Sequence, residues 1–290
     1  MAPADPDQSP IRSLGTAFSV GRVVADTFTT WLRNAPAFAV VSAVCEVPVF
    51  LVMRWAPQPV GAPTIGLVAA LIALLVLYFT AWNLSLAAVT LGVVESRKGQ
   101  RPKIRRCLSV TIRALPTLFG VTLRTIARFV PPFLVACFAY GVLSASECFG
   151  ESSPGRESVE DAWMDGFLGA AALWCLTRVG LAGPAAVVEG IRSREAMARS
   201  RSLTKGRRSE VGAALFMLGV VPLAISDWLG THQLDDTGAW YASETWWWAR
   251  TVFGWFVVSP LIATLAATIY HALRRERDGV DSDVLADVFA

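Results

Sequence analysis

Four ionisable side chains lie inside long apolar stretches of the sequence, where a charge needs a partner. They are Glu46, Arg124, Arg128 and Arg178. Placing a charge at the centre of a membrane helix costs about 2.5–3.5 kcal/mol, so such groups normally face protein or water. Together they could line a polar cavity for an anionic substrate or a lipid headgroup. The interpretation that we favour is a structural ion pair of Glu46 with Arg128 or Arg124.

The sequence offers few residues for an enzyme active site. It contains no HExxH, no GxSxG and no phosphate-binding glycine loop, and its two histidines are His232 and His271. The five cysteines are scattered and odd in number, which indicates neither a disulfide framework nor a CxxC metal site. We therefore expect no enzyme activity, no cofactor and no bound metal.

The composition is typical of a chain that is surrounded by lipid. Of its 290 residues 54% are apolar and only 17% are charged, with a mean hydropathy of +0.48. Average globular chains are roughly 45–50% apolar and about 25% charged. The net charge of +3 is distributed in blocks between apolar runs, which favours a membrane topology signal over binding to nucleic acid. We predict an all-α, polytopic membrane bundle.

About six stretches are long enough to cross the bilayer, since a spanning helix needs roughly 20 mostly apolar residues. They are residues 35–52, 64–94, 116–143, 166–188, 211–229 and 247–271. This membrane domain covers residues 11–275, between a disordered tail at 1–10 and a cytoplasmic tail at 276–290.

The positive charges indicate how these spans are oriented. The second and fourth connections between spans, at 97–113 and 192–208, are rich in Lys and Arg. The first, third and fifth connections hold few basic residues, and most of the Asp and Glu of the connections cluster there. Short basic connections stay on the cytoplasmic side, so both termini should be cytoplasmic. The same basic connections lie where anionic lipid headgroups would be. Membrane lipids are therefore the partners that we expect, with topology alone as the simpler explanation of these charges.

Amphipathic segments precede three of the spans. Residues 14–32, 104–115 and 196–203 each place apolar side chains on one helical face and basic ones on the other. A shift of 83 residues aligns Arg22 with Arg105 and Pro48 with Pro131. We interpret this as three tandem units, at 11–96, 97–190 and 191–275, each a surface helix followed by a helical hairpin. Chance similarity between apolar helices is the competing explanation.

A passage after the fourth span resembles a known family. It reads Val187-Val188-Glu189-Gly190, then Glu195-Ala196-Met197-Ala198-Arg199-Ser200, then Leu203-Thr204-Lys205-Gly206. This is similar to the bacterial multi-pass proteins classed with the membrane domain of glycerophosphoryl diester phosphodiesterases. The resemblance implies a bacterial inner-membrane protein, mostly of unknown function in its stand-alone form, without the soluble barrel that performs the hydrolysis.

The position of Glu189 suggests a structural contact within that passage. Glu189 lies at the inner end of the fourth span, and Arg199 lies on the surface helix that follows. We expect an ion pair or hydrogen bond between them that holds the surface helix against the bundle. For the whole chain we expect a non-enzymatic membrane scaffold, accessory or regulatory component; the alternative is a carrier or lipid-binding protein with a polar midplane cavity.

Overall fold

The computed structural model describes residues 18–55, 65–146, 173–220 and 252–278, and these residues are helical with short connections. The helices are α1 (Val20–Trp55), α2 (Ile65–Arg97), α3 (Ile104–Arg113), α4 (Leu115–Ser146), α5 (Leu173–Val188), α6 (Ser193–Thr204), α7 (Arg208–Leu215) and α8 (Ser259–Asp278). A π-helical turn, Phe216–Val220, follows α7, and another, Gly254–Val258, precedes α8. The predicted all-α class is confirmed.

Three helices in the described ranges are long and apolar enough to cross a membrane. They cover Val20–Val52, Ile72–Arg97 and Phe256–Asp278, which correspond to the first, second and sixth predicted spans. The third predicted span falls within α4, and parts of the fourth and fifth lie outside the described residues. The count of six and the threefold repeat therefore stay predictions.

The outer surface of these helices is apolar. Leu32 on α1 is 65% exposed, Val44 is 53% exposed, and Ile72 on α2 is 55% exposed. Large exposed apolar surfaces are uncommon on monomeric proteins in water. In lipid they carry no penalty, because the surrounding hydrocarbon is as apolar as the side chains.

Helix α2 is the centre of the bundle. It packs against α1, α3, α4, α5 and α8, and Ala87, Ala88 and Val89 on successive positions are fully buried. Successive burial means that neighbours surround the helix on every side. Small residues make this possible because they let helix backbones approach closely.

Short polar side chains connect the helices inside the bundle. The bonds run from Ser85 Oγ to Ser42 Oγ (2.9 Å), from Asn83 Nδ2 to Thr122 Oγ1 (3.2 Å), from Asn34 Nδ2 to Ser96 Oγ (2.9 Å) and between Thr27 Oγ1 and Thr268 Oγ1 (2.7 Å). Asn83 and Ser85 of α2 thus bond to α4 and α1 respectively. Contacts of this kind contribute about 0.6–2 kcal/mol each in membranes.

The surface helix expected before the first span is not a separate element. Helix α1 runs without interruption from Val20 to Trp55, so the amphipathic stretch and the span form one helix. In the second unit a break does occur, at Ala114 between α3 and α4. Pro116 lies in the first turn of α4, directly after this break, but a proline alone does not explain it, because α1 continues through Pro36 and Pro48. The first two units therefore differ at this point.

The close approach of α1 and α2 gives a testable prediction. A Cβ added at Gly92 would lie 2.7 Å from Cε1 of Phe38, and Phe38 is only 1% exposed. Because the ring is enclosed, we expect Gly92→Ala to destabilise the bundle by about 1–3 kcal/mol. The measurement is the free energy of unfolding of the full chain in mixed micelles.

The matched control is Gly21→Ala in the same pair of helices. A Cβ at Gly21 would meet no atom within 4 Å, so alanine should be neutral or slightly stabilising through its higher helix propensity. Equal losses in the two variants would contradict the close-packing explanation.

Candidate functional site

The first of the four predicted intramembrane charges, Glu46, is bound by helix α8. Glu46 lies on α1 and is 7% exposed. The hydroxyl of Ser259 donates a hydrogen bond to Glu46 Oε1 at 2.5 Å. Among the described residues Glu46 forms no ion pair with Arg124 or Arg128. Its polar contacts are therefore with neutral hydroxyls, from Ser259 on α8 and from Ser85 on α2.

The two arginines of α4 lie on a different side of the molecule, against α5 and α6. Arg124 donates to Ser193 Oγ at 2.6 Å and to the carbonyl oxygen of Gly120 at 3.0 Å. Arg128 is half-buried, and its Nη1 has no hydrogen-bond partner among the described residues. The charges that act on it, from Arg201 and Arg124, are positive.

The fourth predicted residue, Arg178, makes a cation–π contact within its own helix. Its guanidinium lies 3.9 Å from the centre of the Trp174 ring, one helical turn earlier in α5. The structure therefore does not bring Glu46, Arg124, Arg128 and Arg178 into one cluster.

A polar network forms instead around Glu189, at the end of α5. Arg199 Nε donates to Glu189 Oε1 at 3.0 Å, and the Tyr270 hydroxyl donates to the same oxygen at 2.6 Å. Arg199 also bonds Asp278, and Arg274 Nε lies 3.6 Å from Asp278 Oδ2. These five residues, which we call the Glu189 network, join α5, α6 and α8.

Local sequence explains how Glu189 and Arg199 come together. Gly190 has φ +64°, a left-handed conformation that residues with a Cβ rarely adopt, and it ends α5 directly after Glu189. The carboxylate of Glu195 then accepts a bond from the backbone N–H of Arg192 at 3.3 Å and caps α6. The turn and the cap reverse the chain so that α6 packs on α5.

The buried face of α6 supports the same arrangement. Ala196, Met197 and Leu203 are at most 1% exposed, and Ser200 Oγ donates to the carbonyl oxygen of Arg178 at 3.0 Å. Burial alone lowers the pKa of Arg199, but hydrogen bonds to Asp278 and Glu189 outweigh it and raise that pKa above its usual value. Arg199 therefore stays charged and paired.

A second set of charged contacts joins the start of α7 to the end of α8. Arg207 Nη1 lies 2.9 Å from Glu210 Oε1, and Arg207 Nη2 lies 2.7 Å from Glu276 Oε1. Arg277 also donates to the carbonyl oxygen of Lys205. Hydrogen bonds to Glu276 and Glu210 raise the pKa of Arg207. The middle of α6, through Arg199, and its C-terminal end, through Lys205, are thus tied to α8.

The third connection to be held by a carboxylate is the turn between α2 and α3. Glu95 Oε2 accepts from the backbone N–H of Lys103 at 2.8 Å and lies 3.9 Å from the Cys107 sulfur. Burial and the Glu95 charge raise the pKa of the Cys107 thiol to about 12. The thiol is therefore protonated at neutral pH, which makes it a poor nucleophile. The contacts of Glu95 and Cys107 therefore hold the turn between α2 and α3 in place.

An open cavity of about 570 Å³ lies between α5 and α7. Arg178, Arg208 and Ser209 supply its polar lining, and Trp174 and Phe216 supply aromatic walls. Sequence reasoning assigned Arg208 only to topology and did not find this cavity. The sequence did contain one indication of this site. Trp174 and Arg178 are four residues apart on one helix, and residues at this spacing are neighbours on the same helical face.

Groups of three or more His, Cys, Asp or Glu side chains that could hold a metal ion do not occur among the described residues. Comparison with protein-family models, curated proteins and solved structures finds no significant match to this chain.

The Glu189 network gives a second prediction. Glu189→Ala would leave the Tyr270 hydroxyl, which is fully buried with its residue, and Arg199 without their shared acceptor. Removing one partner from a buried polar network leaves the others unsatisfied, so we expect a loss of about 2–3 kcal/mol. The measurement is the free energy of unfolding in mixed micelles.

Glu276→Ala is the matched control, because it also removes a carboxylate that binds an arginine. Its pair with Arg207 is more exposed to solvent, and exposed pairs contribute little to stability. A loss as large for Glu276→Ala as for Glu189→Ala would overturn the special role of Glu189.

Proposed function

We propose that this chain is a non-enzymatic, multi-pass membrane protein that acts as a scaffold, accessory or regulatory component. The observation that supports the proposal is the separation of Glu46 from the three arginines that the sequence predicts to lie within spans. A carrier for an anionic substrate would gather all four around one midplane cavity. Here Glu46 binds Ser259 of α8, whereas Arg124 and Arg178 contact α6 through Ser193 and Ser200.

The Glu189 network also favours a fixed bundle. It ties α6 to α5 and α8 through hydrogen bonds to one half-buried carboxylate. Carriers must move one group of helices against another to expose their site to each side of the membrane in turn. A surface helix that is bonded at both ends opposes such a movement and offers a constant surface on the cytoplasmic side.

For topology we propose six spans in a bacterial inner membrane, with both ends of this chain in the cytoplasm. The support comes from the basic connections at 97–113 and 192–208 and from the three apolar helices of spanning length. The resemblance to the glycerophosphodiesterase membrane domains agrees with this placement and adds no activity to it.

The topology can be tested with reporter fusions in bacteria. Alkaline phosphatase fused after residue 160 should be active, because it needs the extracytoplasmic side, and green fluorescent protein fused after residue 290 should fluoresce. An inactive phosphatase at residue 160 together with an active one at residue 290 would reverse the proposed orientation.

The closed bundle is tested with the native thiol beside Glu46. Cys45 is buried on α1, so a membrane-impermeant methanethiosulfonate should not label it if Glu46 faces a dry interior. The protein used is the full chain with Cys45 as the single cysteine, the other four being replaced by serine. Labelling is measured by mass spectrometry in membranes that are open to reagent on both sides.

The control is Arg33→Cys in the same chain with Cys45 also replaced. Arg33 is exposed on α1, so a cysteine there should be labelled within minutes. If Cys45 is labelled as fast as that control, water reaches Glu46, and the carrier becomes the better proposal.

A further inference from the structure

The cavity between α5 and α7 has two positive groups that no carboxylate of the described residues pairs with. Arg178 and Arg208 both line it, and neither forms an ion pair with a carboxylate of the described residues. Of the neighbouring acidic groups, Glu189 binds Arg199, and Glu210 binds Arg207 through one of its two carboxylate oxygens. Within the described part of the chain, the cavity therefore carries two positive charges that are not paired with a carboxylate.

The guanidinium of Arg178 is held in a way that leaves its donors available. It stacks over the Trp174 ring with its centre 3.9 Å from the ring centre. Stacking uses the face of the planar group, whereas its N–H donors lie in the plane and match the oxygens of a phosphate. Arg178 donates no hydrogen bond from its side chain to any described residue. Ser209, also in the lining, adds a hydroxyl.

The rest of the lining suits an amphiphile better than a free ion. Trp174 is 49% exposed and Phe216 is 48% exposed, and both form walls of the cavity together with Leu173. Large aromatic side chains are common at the headgroup level, where one side of a site is apolar and the other is wet. A phosphate with attached glycerol and acyl carbons would contact both kinds of lining.

The depth of the cavity is set by helix α6. Ser200 on α6 donates to the backbone carbonyl of Arg178, so Arg178 lies level with the basic connection at 192–208. That connection is the one that positive charge assigns to the cytoplasmic surface. Anionic phospholipid headgroups are found at this level.

We infer that this cavity binds the phosphate of an anionic glycerophospholipid, with Arg178 and Arg208 as its ligands and Trp174 and Phe216 against the glycerol and first acyl carbons. An anionic lipid is preferred over phosphatidylcholine, whose choline would add a third positive charge. The inference goes beyond the scaffold function, because a scaffold protein does not require a bound lipid.

The test compares lipid binding by matched charge variants of the purified full chain. Native mass spectrometry in a nonionic detergent measures binding of phosphatidylglycerol, phosphatidylcholine, glycerol 3-phosphate and inorganic phosphate. The variant R178Q/R208Q removes both proposed ligands. The control R105Q/R194Q removes two exposed arginines that do not line the cavity, so the two variants have the same net charge.

We expect R178Q/R208Q to bind phosphatidylglycerol about thirtyfold more weakly than the unmodified chain, from about fivefold for each of the two charges near the surface. The control variant should stay within about threefold, and phosphatidylcholine should bind weakly to all three proteins. Equal losses in both variants would mean diffuse surface attraction and would overturn the site. Binding of inorganic phosphate or glycerol 3-phosphate as tight as that of phosphatidylglycerol would overturn the lipid assignment.

A second measurement needs no substitution at the cavity and so does not depend on the variant folding. Phosphatidylglycerol with a photoactivatable diazirine near the start of an acyl chain is irradiated with the unmodified protein in nanodiscs. Crosslinks should fall in peptides that contain Trp174 or Phe216 and should be displaced by unlabelled phosphatidylglycerol. Crosslinks confined to other peptides would contradict the inference. Neither result bears on Cys45 labelling, so the scaffold proposal is judged separately.

Discussion

The acceptance of two hydrogen bonds by the Glu189 carboxylate is the interaction on which the packing of α5, α6 and α8 depends. Arg199 and Tyr270 reach the same oxygen from α6 and α8, so one side chain at the end of α5 fixes two other helices. The position of α6 then determines where Ser200 meets Arg178 and where α7 begins. A carboxylate suits this role because its oxygens accept several charge-assisted bonds at once.

Local features of the sequence predict one half of this network and miss the other. Glu189 and Arg199 are ten residues apart across a glycine turn, so their contact follows from chain geometry. Tyr270 and Asp278 lie on α8, 71 and 79 residues further along. Periodicity shows which face of a helix is apolar, as it does for Ala196 and Leu203, which are buried. It carries no information on which distant helix will cover that face.

The charges inside the helices show the same difference between what the sequence predicts locally and what it leaves open about distant contacts. Hydropathy places Glu46 and Arg128 at similar depths, but depth does not give direction around the bundle axis. Glu46 lies against α8 and Arg128 lies near Arg201 of α6, so the expected pairing does not arise. The hydroxyl of Ser259 that binds Glu46 belongs to a residue that no search for opposite charges would select. Likewise, the amphipathic pattern before the first span does not register that α1 continues from it into the span.

The contact between α1 and α8 has a consequence for how the protein is made. Thr27 and Thr268, whose hydroxyls bond, are 241 residues apart, and Glu46 also receives its bond from α8. Helix α1 is synthesised long before α8, so until α8 is made Thr27 has only its bond to the Val23 carbonyl oxygen within its own helix, and Glu46 lacks the bond from Ser259. Unsatisfied polar groups in lipid are costly. The last helix is therefore the step that completes the interior, and a chain truncated before it would present the polar face of α1 to membrane quality-control proteases.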